Sequence, residues 1–297
     1  MKRIIAAVLV FGCWLVSARA ESLVADGAKL EKLGDNFDFT EGATSDAQGN
    51  VFFTDQPNNR ILKWSVDGQL STFLQPAGRA NGMYFDTHGN LIACAEEHHE
   101  LWSITPDKVI TKLVTHYQSK ALHGPNDVWV APNGGIYFTD PFYDRTWTDT
   151  NRLKFNGEWV FYLSPDHLLL KPVIQDFHKP NGISGSPDGT KLFATDINGN
   201  RTWSFDILPD GSLTNKSLIC SQGCDGMTVD ELGNFYLAGR GVTIYSPTGE
   251  RLEHIDIPGP WTANLSFSGA DHKTLFITAS KCIYSIRMRV KGGNRSK

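Results

Sequence analysis

Nowhere in this chain do apolar residues recur at helical spacing over a long stretch, which excludes helical architectures. Cysteine is scarce, at five in 297 residues, and no Cys-x-x-Cys or Cys/His cluster has the spacing of a zinc site. A Gly-x-Ser-x-Gly elbow is missing; the nearest fragment, GISGS at 182–186, precedes a strand rather than a helix, so Ser-His-Asp catalysis has no footing. Positive charge is not in excess either, with 28 Lys and Arg against 32 Asp and Glu. That excludes the electrostatic footprint of a nucleic-acid-binding protein. The short basic tail after Ile286 (Arg287, Arg289, Lys291, Arg295, Lys297) is read as solvated.

Long apolar runs are also missing, save one. Residues 4–16, IIAAVLVFGCWLV, follow Lys2 and Arg3 and lead into Ser-Ala-Arg-Ala. A spanning helix needs about 20 apolar residues, so this run reads as a signal peptide cut after Ala20. The expected product is an exported protein, periplasmic or secreted, with no stable membrane insertion after cleavage. Cleavage removes three cations and no acid, taking the net charge from −4 to −7. Of the four remaining cysteines, Cys220 and Cys224 are close enough in sequence to close a small loop. Cys94 and Cys282 lie in strand-like runs and read as buried small hydrophobes.

What the chain does have is short Val, Ile, Phe, Tyr and Trp runs between Gly, Asp, Asn and Pro turns, the signature of antiparallel strands. They recur as a motif: a polar residue, a few apolar ones, a turn, then a second apolar strand. The copies are EGATSDAQGNVFFTD, NGMYFDTHGNLIACA, NDVWVAPNGGIYFTD, NGISGSPDGTKLFATD, DGMTVDELGNFYLAG and NLSFSGADHKTLFITA. Their starts are 40, 45, 55, 44 and 39 residues apart, the period of a four-stranded propeller blade. The fold expected over 21–297 is therefore all-β: a single six-bladed β-propeller domain. The last copy is one strand short. The leading segment LVADGAKLEKLGDNF can supply that strand, closing the ring by pairing the two termini and removing exposed sheet edges.

In register, the motif starts read Glu41, Asn81, Asn126, Asn181, Asp225 and Asn264, each with a side-chain oxygen. A propeller places the first strand of every blade beside the central channel, so these positions converge on the axis. Each alone reads as a turn or strand cap. Six together suit a hard divalent cation, calcium first, which accepts many oxygen ligands in flexible geometry; magnesium demands a smaller octahedral site. Asp127 has counterparts Gly42, Gly82, Gly182, Gly226 and Leu265, and is expected off the axis, bracing its loop.

The fragments TEGAT (40–44), GPNDV (124–128), YFTDP (137–141), KPNG (179–182), SPDG (186–189), CDGMTVD (224–230) and TLFITAS (274–280) resemble the SMP-30/gluconolactonase/regucalcin-like family in order and across nearly the whole mature chain. The resemblance implies a six-bladed propeller whose channel holds a divalent metal, usually calcium, with zinc, magnesium or manganese as alternatives. It implies hydrolysis of a sugar lactone as the activity. By motif, Glu41, Asn126, Asn181 and Asp225 become the metal ligands and Asp225 the catalytic base. Asn81 and Asn264 then line the channel toward substrate. His123 and His178 precede ligand-bearing turns and are pocket candidates. Tyr143, Arg145 and Trp147, in the long third blade, are candidates for a lid or a carbohydrate-facing wall. The Arg that one branch of the family carries two residues before the third-blade Asn is Gly124 here. Glu96-Glu97-His98-His99 is expected to face solvent. A phosphotriester hydrolase using the same site, and a non-catalytic binding propeller with a structural metal, are the alternative functions.

Overall fold

The computed structural model describes residues 21–148 and 156–293. The proposed signal peptide, and residues 149–155 of the blade-three insertion, lie outside that range. The first strand, β1 (Glu31–Gly34), stands apart from the sheet that follows it. Blade 1 then comprises β2 (Thr40–Ser45), β3 (Val51–Asp55), β4 (Arg60–Trp64) and β5 (Leu70–Leu74). Blade 2 is β6 (Ala80–Phe85), β7 (Leu91–Ala95), β8 (Glu100–Ile104) and β9 (Ile110–Val114). Blade 3 is β10 (Val128–Val130), β11 (Ile136–Asp140), β12 (Trp159–Leu163) and β13 (Leu170–Ile174). Blade 4 is β14 (Pro180–Gly185), β15 (Lys191–Asp196), β16 (Arg201–Ile207) and β17 (Leu213–Cys220). Blade 5 is β18 (Met227–Val229), β19 (Phe235–Gly239), β20 (Gly241–Tyr245) and β21 (Arg251–Ile255). β22 (Asn264–Ser268), β23 (Thr274–Ala279) and β24 (Cys282–Arg287) begin blade 6, and β1 completes it.

The six sheets are each four-stranded and antiparallel, which makes the molecule the six-bladed propeller expected. Closure is by the termini: Glu31 pairs with Ser285 and Lys32 with Tyr284. Among the described residues the helical content is one 3-10 turn, Glu96–His98, and no helix is long and apolar enough to cross a membrane.

Each blade is held by the alternation of its strands, which sends apolar side chains into the seams between blades. At the seam of blades 3 and 4, Trp129 is 1% exposed and stacks on Tyr137 at 5.8 Å, while the Tyr137 hydroxyl donates to Gly211 O at 3.0 Å. Gly185 makes room for that indole, since a Cβ there would lie 2.0 Å from it. Truncating an aromatic so placed costs about 3–5 kcal/mol. All four described cysteines are free thiols: Cys94, Cys220 and Cys224 are buried and Cys282 half-buried.

The inner strands β2, β6, β10, β14, β18 and β22 contact one another in a closed circle. Their crowding at one end explains the Gly that follows most of the motif's polar residues. A Cβ on Gly42 would lie 2.0 Å from Asn81 O of the next blade. One on Gly182 would lie 2.3 Å from Asp225 O. The glycine therefore lets each inner strand touch the next at the level of the axial oxygens.

Candidate functional site

In blades 1, 2 and 4 the pairing of the first two strands slips at the motif's polar residue: between Glu41 and Thr44, Ala80 and Met83, and Pro180 and Ile183. Such bulges re-aim a side chain out of the ladder. In blades 3 and 5 the inner strands begin two residues after Asn126 and Asp225, so those side chains precede the ladder. All five residues so released, with Asn264 of blade 6, sit at the same end of the channel. Glu41, Asn81, Asn126, Asn181 and Asn264 are buried, and Asp225 is half-buried.

The electrostatics tie them together. Burial, then the charge of Asp225, pushes the Glu41 carboxyl well above the usual carboxylate range. Blades 1 and 5 do not adjoin, so this repulsion acts across the channel. Burial also raises Asp225, to about 6, although hydrogen bonds from Trp261 and Asn181 favour its charged form. The Trp261 Nε1–H donates to Asp225 Oδ2 at 2.6 Å. Asn181 Nδ2 donates to the Tyr143 hydroxyl at 2.8 Å.

The Asn264 amide turns partly onto its own strand, its Oδ1 accepting Leu265 N–H at 2.7 Å. Glu41 does the same with one oxygen, accepting Gly42 N–H at 2.8 Å, and has the other to give. Asp127 does brace its loop, accepting Val128 N–H at 3.0 Å and, from the next blade, Ile183 N–H at 3.3 Å. It is not remote from the axis, however. Burial lifts its carboxyl to about 7, with the Asp225 charge contributing, and its own charge in turn raises Glu41.

The insertion between β11 and β12 brings Tyr143, Arg145 and Trp147 over this end of the channel. The Arg145 guanidinium lies 4.8 Å from the Tyr143 ring centre and favours the charged forms of both Glu41 and Asp225. Trp147 packs on Arg79, which leads into β6 of blade 2 and whose guanidinium is 4.6 Å from its ring. Lys179 Nζ sits 4.5 Å over Tyr143 and donates to Phe142 O at 2.8 Å, pinning the segment to blade 4.

Two sequence expectations need correction here. Glu96 and His99 do not face solvent: they are 6% and 1% exposed, because the 3-10 turn folds inward. The Glu96 carboxylate accepts from Gln56 Nε2 at 2.6 Å, Arg145 Nε at 3.3 Å and Asn81 Nδ2 at 3.4 Å. It thus links an axial residue to the insertion. His178, by contrast, is 78% exposed at its side chain and turns onto Asp196 at 3.1 Å. His123 is half-buried, with its ring 3.6 Å from Asp140 and edge-on to Phe142, while its carbonyl meets His99 Nδ1 at 2.8 Å. Glu96 and Trp261 were missed because neither belongs to the repeated motif position. Their only sequence signal is a Glu at the end of blade 2's second strand and a Trp three residues before Asn264.

Among the described residues no three His, Cys, Asp or Glu side chains gather as a metal site. An ion here would rest on amide as well as carboxylate oxygens. The donor set fits a hard cation: oxygen only, with Glu41 and Asp225 repelling one another across a buried channel that a divalent ion would neutralise.

Residues 39–281 match the model of the SMP-30/gluconolactonase/LRE-like region, and the chain belongs to that family. It is 30% identical to the gluconolactonase of Zymomonas mobilis over 93% of this chain and 86% of that one. A gluconolactonase from Xanthomonas campestris superposes with a TM-score of 0.83 at 28% identity, covering 90% of this chain and 91% of that one. A calcium-binding regucalcin of Agrobacterium tumefaciens shares the fold at a TM-score of 0.75 and 18% identity, covering 89% and 95%.

Proposed function

We propose that this family member hydrolyses a sugar lactone at the mouth of its channel, with a divalent cation, calcium by its donor set, held by Glu41, Asn126, Asn181 and Asp225. The observation that carries this reading is the buried, all-oxygen set that two acids and their amide neighbours make around the axis, in a chain whose relatives include gluconolactonases. When bound, the cation supplies a Lewis acid that polarises the lactone carbonyl.

The chain's own groups do the rest. Asp225 accepts a proton from the attacking water and returns it to the ring oxygen as the carbonyl carbon–ring oxygen bond breaks. Trp261 holds one of its oxygens and thereby lowers its basicity, so the proton goes to the other. The Asn81 and Asn264 amides meet the sugar ring. Tyr143 and Arg145 lie over the open end, where a phenol and a guanidinium can hydrogen-bond ring hydroxyls and exclude water. Arg145 supplies from the insertion the guanidinium that is missing at Gly124. His123 supports this wall from behind through Phe142. An exported location, with cleavage near Ala20, belongs to the same proposal.

The test is a pH-stat assay with gluconolactone, run with and without chelator, beside a phosphotriester and the Asp225→Ala variant. Hydrolysis of the lactone that vanishes on chelation and in the variant supports the reading. Lactone turnover that survives both contradicts it; turnover of the phosphotriester alone reassigns the substrate. No turnover of either, with calcium bound, leaves a binding propeller.

A further inference from the structure

Three blades share a buried carboxylate for which the proposed chemistry has no use. Asp55, Asp140 and Asp196 end the second strands of blades 1, 3 and 4 and are 0%, 0% and 5% exposed. Each accepts two consecutive backbone N–H groups from the loop entering its own blade's inner strand. Asp55 takes those of Asp38 and Phe39 at 3.0 and 3.3 Å. Asp140 takes those of His123 and Gly124, both at 2.9 Å. Asp196 takes those of His178 and Lys179 at 3.0 and 2.9 Å.

The register is the same each time. The N–H groups belong to the residues three and two positions before Glu41, Asn126 and Asn181. In blades 2, 5 and 6 the matching residue is Ala95, Gly239 or Ala279, which has no side-chain oxygen to offer. In blade 5 the carboxylate of Asp225 is itself held, by the Trp261 indole. So the bracing marks four of the six axial positions, and they are the same four that the proposed function gives to the cation. Asn81 and Asn264 sit on loops without such a carboxylate.

We propose that Asp55, Asp140, Asp196 and Trp261 are positioning residues that fix the four cation-holding oxygens, a clamp that Asn81 and Asn264 lack. This rests on the reading of Glu41, Asn126, Asn181 and Asp225 as the cation's ligands. A carboxylate bound to two N–H groups is a stiff clamp, because hydrogen bonds to a charged acceptor are roughly twice as strong as neutral ones. Losing a group that orients a metal's ligand typically weakens metal binding about 10–100-fold.

Asp55 also binds Arg60, and Asp196 also binds Gly199 N–H, so loss of stability alone would not separate positioning from simple bracing. Calcium affinity does. Titration calorimetry on the metal-stripped full chain should compare the wild type with Asp55→Asn, Asp140→Asn, Asp196→Asn and Trp261→Phe. The control is Asp46→Asn, which removes the charge from the like bonds of Gln48 and Asn50 N–H at the far end of β2. The four variants are expected to bind calcium about 10–100-fold more weakly, with the control unchanged. Circular dichroism reports folding, and Asp→Glu replaces any Asp→Asn that does not fold. Folded variants that bind calcium like the wild type, or an equal loss in the control, overturn the inference. A wild type that binds no calcium overturns the reading beneath it, before any variant is made.

Discussion

The two ends of the inner strands are built from the same residue types and behave oppositely. At the far end, Asp46, Asp86 and Asp230 open hairpins of identical chemistry. Each accepts the N–H groups two and four residues on, as in Asp86 with His88 and Asn90, both at 2.8 Å. Each also takes the side chain of the Asn four residues on, at 2.8, 2.9 and 2.7 Å. Their oxygens are consumed by their own hairpins. At the channel mouth, the Asp225 charge acts on Glu41, and desolvation pushes both carboxyls up. An Asp or Asn satisfied by its own turn is architecture. One at the channel mouth with an oxygen still to give is a candidate ligand.

Substitutions should separate the two ends, and the largest effect belongs at the mouth. Asp225→Asn and Glu41→Gln are each expected to lower kcat/KM for a lactone by about 10²–10³-fold or more, the scale of losing one preorganised electrostatic element. Steady-state kinetics would show it. A drop of that size in Asp86→Asn would erase the distinction. Next comes the wall over the mouth. Arg145→Met and Tyr143→Phe should raise KM about 10-fold, the equivalent of one hydrogen bond to a charged or polar group, with melting temperature little changed. A kcat loss without a KM change would move these residues from binding to chemistry.

At the far end the expectation inverts. Asp230→Asn, which disturbs bonds to Leu232 N–H, Asn234 and the Tyr236 hydroxyl, should cost about 1–3 kcal/mol of stability and leave kcat/KM alone. Urea unfolding and an activity assay together check it.

The smallest effect is one of pH. Glu41, Asp225 and Asp127 titrate higher in the folded chain than in the unfolded one, so the native state binds protons more readily. The chelated protein should therefore gain stability as pH falls from about 7 toward the unfolded carboxylate range near 4, and Glu41→Gln should flatten that gain. Melting curves of chelated protein across this window report it. A chelated protein that is most stable above pH 7, with no change in Glu41→Gln, would mean these carboxylates are already neutralised by the chain.

Much of this was legible in the sequence because it repeats. Six motif copies at a blade's period gave the propeller, its closure through β1 and β24, and the six oxygens in register. Repetition also limited what could be read. Glu96 stands where blades 1, 3 and 4 have loop residues after the TD pair. Its burial depends on Arg145 reaching across from the insertion, 49 residues away. Trp261 finds Asp225 across 36 residues, and Asp127 finds Ile183 across 56. Contacts of this kind leave no period and no spacing; only packing creates them. The TD pairs themselves were visible as parts of a motif, but not what their carboxylates hold.

The most direct test of the axial site is equilibrium calcium binding, with metal content counted per chain, in the wild type and in Asp225→Asn. We expect one ion per wild-type chain and none in the variant. A wild type that binds no ion, or a variant that binds one as tightly, would contradict a cation held by Glu41, Asn126, Asn181 and Asp225.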